Sequence, residues 1–121
     1  MNEDKRTRIF NKAGGKCWYC GVELRPYQGE VLPDTFVTDH AHPKKFGGTS
    51  HESNLVPSCW KCNEVKKFKT IEQYRQYLAF EKAGVEKFTP NQIAWLRSHG
   101  IELPELPAIT FYFEEMAAGN E

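Results

Sequence analysis

The four cysteines come as two pairs, Cys17-Trp-Tyr-Cys20 and Cys59-Trp-Lys-Cys62. A two-residue spacer lets both sulfurs of a pair face one point. Two such pairs form a tetrahedral set for one structural Zn²⁺ at about 2.3 Å, with backbone N–H groups of each turn aimed at the thiolates. The chain between the pairs must then leave this clip and return to it. The same residues could serve redox chemistry or two disulfides. Two complete pairs with no fifth cysteine favour zinc, provided that the compartment is reducing.

The N-terminal stretch MNEDKRTRIF is charged and lacks the apolar centre of a secretory signal. No run approaches the roughly 18 to 20 apolar residues of a membrane helix. A cytoplasmic protein, microbial or phage-encoded, is therefore the expectation. At 121 residues the chain is the size of one domain with a modest core. Its net charge of zero is unevenly spread: all 16 Lys and Arg precede residue 99, whereas Glu102, Glu105, Glu114, Glu115 and Glu121 follow it. A basic body with an acidic tail suits a polyanionic partner, although an acidic tail also aids solubility.

Residues 4–14 pattern as a short helix stopped by Gly14-Gly15. Gly21, just after the first cysteine pair, supplies the positive φ that such a turn wants. Thr35-Phe36-Val37-Thr38 reads as a strand running into Asp39-His40, and residues 41–53 as a loop punctuated by Pro43, Gly47-Gly48 and Ser50. Asn54-Leu55-Val56-Pro57 leads into the second pair. Helices are expected from Asn63, from about Thr70, and from Thr89-Pro90, with Thr89 as N-cap and Gly100 as stop. Ile109–Phe113 is β-branched and aromatic, then runs into helix formers.

Four elements occur in order: Asp39-His40, Gly47-Gly48, Asn54-Leu55, and Cys59-x-x-Cys62-Asn63 with Lys66 three residues on. In these the chain resembles the HNH endonucleases, in the branch whose core is braced by two CxxC knuckles. The likeness runs through VTDHAHPKKFGGTSHESNLVPSCWKCNEVKK together with Cys17-x-x-Cys20-Gly21. It implies an α+β fold: a small ββα-metal core over residues 1–69, braced by the four-cysteine zinc site. Residues 70–121 would form a mainly helical C-terminal extension packed on or beside that core.

The resemblance also implies an activity, metal-dependent hydrolysis of DNA phosphodiester bonds with a single divalent ion. Phosphodiester hydrolysis needs an activated water, relief of phosphate charge and stabilisation of the departing oxyanion. Carried over residue by residue, Asp39 and Asn63 would ligate the divalent ion, Mg²⁺ or Mn²⁺, and His40 would be the general base. Imidazole suits that role because it is basic yet uncharged near neutral pH. Asn54 would hold the loop and thereby orient the base. Asn63 stands where the founding pattern has histidine, and its harder amide oxygen disfavours Zn²⁺ and Ni²⁺ at this second site.

Lys44, Lys45, Lys66, Lys67 and Lys69 cluster around the motif as candidate phosphate contacts, although a helix-face lysine is commonly just solvated. His42 could assist with phosphate or metal, His51 less so, and His99 fits a helix C-terminus. Trp18, Tyr19 and Trp60 are expected to pack around the zinc, and Trp95, Phe111, Tyr112 and Phe113 to build a C-terminal core. The rival reading is a zinc-ribbon module that grips nucleic acid without cutting it. It would have no use for Asp39, His40 and Asn63 together. A nuclease serving as the toxin or nicking part of a larger system is a third. Cutting both DNA strands from one site calls for a homodimer or two sequential nicks.

Overall fold

The computed structural model describes residues 1–119. They group into two compact units, residues 1–71 with 110–119, and residues 72–109.

In the first unit Asn2 caps helix α1 (Glu3–Asn11): its side-chain oxygen accepts the Lys5 N–H at 2.8 Å, and Glu3 and Asp4 complement the first turn. The helix stops at Asn11 instead of reaching residue 14, because the chain turns from Lys12 toward Gly14-Gly15. Ile9 is fully buried, and Phe10 meets Phe36 edge-on at 5.2 Å.

Strands β1 (Phe36–His40) and β2 (Leu55–Cys59) pair antiparallel, with Phe36 opposite Cys59 and His40 opposite Leu55. The first strand thus extends through Asp39 and His40. The second has no alternating pattern to read, since all five of its residues are buried. Pro57 is tolerated there because each strand of a two-stranded sheet keeps an outer edge, and its carbonyl accepts the Trp18 N–H at 2.8 Å.

Helix α2 (Trp60–Lys66) starts three residues earlier than the sequence suggests. Its N-cap is Cys59, whose sulfur accepts the Cys62 N–H at 3.3 Å, a role that residue type seldom advertises. Strand, strand and helix make the ββα core of an α+β fold.

Helix α5 (Tyr112–Gly119) belongs to this first unit. The Tyr112 and Phe113 N–H groups donate to the carbonyls of Tyr19 and Trp18, each at 2.9 Å. Phe113 stacks on Trp18 at 5.0 Å, and buried Phe111 meets the Tyr19 ring edge-on at 5.4 Å. These aromatics therefore pack on the first cysteine turn and form no separate C-terminal core. Gly21 shows the tightness of that packing: at φ 78°, a Cβ there would come within 2.9 Å of the Tyr112 ring.

The second unit contains α3 (Ile71–Ala83) from Glu72 onward and α4 (Pro90–Ser98). Phe80, Val85 and Ile93 form its apolar centre, with Ala83 and Leu103 against it. Thr89 caps α4 reciprocally with Gln92: Thr89 Oγ1 accepts the Gln92 N–H at 3.1 Å, and Gln92 Oε1 accepts the Thr89 N–H at 2.8 Å. Trp95 lies 58% exposed, stacked on His99 at the end of α4. No helix among the described residues is long and apolar enough to cross a membrane.

Candidate active site

Cys17 and Cys20 come from the turn after α1, Cys59 and Cys62 from the junction of β2 with α2. Their four sulfurs all lie within 4.8 Å of one another. All four are free thiols, which sets aside the disulfide alternative. Cys20 and Cys59 sulfurs are 3.8 Å apart, the spacing expected at roughly 3.8 Å for two corners of a ZnS₄ tetrahedron with 2.3 Å bonds. Backbone N–H groups approach the sulfurs as such a site requires: Tyr19 N and Cys59 N donate to Cys17 Sγ at 3.4 and 3.3 Å. Packed this closely, the thiols cannot ionise independently. Hydrogen bonds from Cys20, Cys59 and Cys62 pull the Cys17 thiol down, whereas the hydrogen bonds with Cys17, Cys20 and Cys59 push Cys62 up. A divalent cation resolves that conflict, and the donor set fits zinc.

At the end of β1, Asp39 turns inward and is 5% exposed, while His40 is half-buried. The Asp39 Oδ2 atom accepts the Tyr19 hydroxyl at 2.5 Å and pairs with Lys66 Nζ at 3.0 Å. Its Oδ1 atom has no hydrogen-bond partner among the described residues. His40 Nε2 lies 3.1 Å from Ser50 Oγ. Asn63, half-buried in α2, likewise has no side-chain hydrogen bond among the described residues. Asp39, His40 and Asn63 all line one cleft of about 740 Å³. One free carboxylate oxygen and one free amide, both hard ligands on residues lining the same cleft, fit a water-rich cation such as Mg²⁺ or Mn²⁺ better than a soft one.

The loop beside His40 is pinned by Asn54. Its Oδ1 accepts the His42 N–H at 2.9 Å, and its Nδ2 donates to the carbonyls of His42 and Thr49 at 2.9 and 2.8 Å. The Asn54 carbonyl accepts the Ala41 N–H at 2.9 Å, extending the ladder one step past His40. A Cβ on Gly48 would overlap the His42 carbonyl oxygen, so the loop closes on itself only with glycine there.

Residues 17–69 match the family model of the HNH endonucleases, under half of the chain but the whole of this site. Over these residues the chain is similar to an HNH domain. Neither a curated protein nor a solved structure matches the chain significantly.

Lys44, Lys45 and Lys67 are exposed and line the cleft. Lys66 is not among them. Expected as a phosphate contact, it is fully buried, its ammonium spent on Asp39 and on the His40 carbonyl at 3.0 Å. Lys69 turns back to the Val65 carbonyl at 2.9 Å, and burial lowers its pKa. Lys67 is the one non-glycine residue at positive φ (48°) among the described residues, and the exposed Phe68 follows it at the cleft.

His42 is tied by Nε2 to the Phe46 carbonyl at 2.8 Å, and His51 caps the turn at residues 52–54 by accepting the Ser53 N–H. Both side chains are thus engaged in holding the loop. Two partners of Asp39 and His40, Tyr19 and Ser50, went unread in the sequence. Neither carries a local signal linking it to residues 39 and 40.

Proposed function

We propose that the protein is an endonuclease that hydrolyses DNA phosphodiester bonds, using one divalent ion, Mg²⁺ or Mn²⁺, at Asp39 and Asn63 and a separate structural Zn²⁺ at the four cysteines. The observation that carries this reading is the convergence of Asp39, His40 and Asn63 on a single cleft rimmed by Lys44, Lys45 and Lys67. When bound, the divalent ion supplies Lewis acidity toward the phosphate and the leaving oxygen. The side chains supply the rest. The three lysines draw in the phosphate backbone and hold it at the cleft. The His40 imidazole, oriented by Ser50 and by the loop that Asn54 pins, takes a proton from the attacking water. Asn54 acts through that loop and touches no reacting atom.

A nucleic-acid-binding module without hydrolysis would need the zinc clip and the lysines. It would give no reason for an unpaired Asn63 amide beside a half-committed Asp39 carboxylate in one cleft.

The test is nicking of supercoiled plasmid by the zinc-loaded protein with Mg²⁺ or Mn²⁺, beside His40→Ala. The wild type should nick, excess chelator should stop it, and the variant should lose about 10² to 10⁴ in rate. A wild type that shifts the plasmid in a gel yet leaves it supercoiled would support the binding module instead. Undiminished cleavage by His40→Ala would reject the imidazole as base.

A further inference from the structure

We infer that Tyr19 and Lys66 are positioning residues of the hydrolytic centre: they tether Asp39 Oδ2 so that Oδ1 alone is offered to the divalent ion. The first zinc knuckle thereby becomes part of the active-site frame. This rests on the nuclease reading above. It concerns side chains that the reaction itself does not consume.

A fully buried ammonium is costly unless it is paired and hydrogen-bonded. Lys66 meets that requirement with the two residues that matter most, pairing with the Asp39 carboxylate and donating to the His40 carbonyl, each at 3.0 Å. It also lies four residues after Cys62 and three after Asn63 on the same helix. One rigid element therefore carries a zinc ligand, a proposed divalent-ion ligand and the cation that fixes the other ligand.

Tyr19 supplies the second tether from the opposite side of the clip. It stands between Cys17 and Cys20, donates its N–H to Cys17 Sγ at 3.4 Å, and lays its ring against Phe111. Its hydroxyl can then reach Asp39 Oδ2 in only a narrow range of positions. With two donors on one oxygen, the carboxylate cannot swing to chelate through both. Partners of this kind behind a metal ligand are generally worth about 10- to 100-fold in metal affinity or activity.

The deciding variant is Tyr19→Phe, which removes one hydroxyl and keeps the ring. Zinc content and melting temperature should match the wild type, which separates positioning from mere structure. Mn²⁺ binding, read by electron paramagnetic resonance on zinc-loaded protein without DNA, should weaken about 10- to 100-fold. In plasmid nicking, kcat at fixed Mn²⁺ should fall while KM for DNA stays put, because the rim lysines are untouched.

Lys66→Met should move the same readouts further. It strips a buried countercharge and can unfold the domain, so Tyr19→Phe decides. A Tyr19→Phe protein that binds Mn²⁺ and cuts like a competent wild type overturns this inference alone. A wild type that neither binds Mn²⁺ nor cuts overturns the nuclease reading together with it.

Discussion

The two units hold their shapes by different means. In the unit of residues 1–71 and 110–119, an apolar core that includes Ile9, Phe36, Leu55 and Phe111 is joined by a cluster of sulfurs, a buried lysine–aspartate pair and an asparagine that pins a loop by its amide. In the unit of residues 72–109, the framework is a small apolar centre of Phe80, Val85 and Ile93, with a reciprocal hydrogen-bonded cap on α4. Polar and metal contacts are directional, so they fix side chains to within fractions of an ångström, as chemistry on a phosphate requires. Apolar packing is less demanding about direction and tolerates substitution better. The candidate chemistry lies where the directional contacts are.

The largest effect should come from breaking the sulfur cluster. A structural zinc contributes roughly 10 to 16 kcal/mol in small zinc-finger peptides, as much as the whole stability of an ordinary domain. Cys62→Ser, or extraction of the metal by a strong chelator, should abolish hydrogen-exchange protection across β1 and β2. Protection at Ile93 and its neighbours in α4 should outlast it. Simultaneous loss in both places would mean that the two units unfold as one and that the contrast is only descriptive.

The converse is Ile93→Ala, which empties a site 4% exposed in the second unit. It should cost about 2 to 5 kcal/mol of local stability, read as faster exchange in α3 and α4, with zinc content unchanged. Loss of zinc from this variant would blur the distinction.

The smallest effect is at the surface. Arg8 grips Glu52 through Nε and Nη2, at 3.0 and 2.8 Å, tying α1 to the turn before β2. Hydrogen bonds from Arg8 hold the Glu52 carboxyl below its ordinary range. A carboxylate lowered on folding stabilises above its ordinary pKa and stops doing so as pH falls through the lowered value. Arg8→Ala should therefore lower the melting temperature slightly at neutral pH and not at all in strong acid. A difference that persists in acid would assign the effect to packing.

How much of this could be read from the sequence depends on how local each signal was. Cys17, Cys20, Cys59 and Cys62 announced themselves because a two-residue spacer is itself the geometry. The series Asp39-His40, Asn54, Asn63 stood out through its resemblance to the HNH pattern, and the cap at Thr89 as a local rule. Strand β2 was not, because burial on both faces erases the alternation that marks a strand.

Lys66 was misread for a related reason. Among Lys67 and Lys69 it resembles one more solvated helix lysine, and only the fold shows that Asp39 and the His40 carbonyl wait for it. The return of Phe111 and Phe113 to Tyr19 and Trp18 likewise depends on contacts across most of the chain, which no spacing records.

The central proposal is a hard cation held by Asp39 and Asn63 beside the His40 imidazole, apart from a zinc at the four cysteines. Anomalous diffraction from crystals soaked in Mn²⁺ addresses this most directly. The account predicts a zinc signal among the four sulfurs and a manganese signal touching both the Asp39 carboxylate and the Asn63 amide oxygen. A zinc signal in place with manganese absent from that cleft, or bound without either residue, would contradict it.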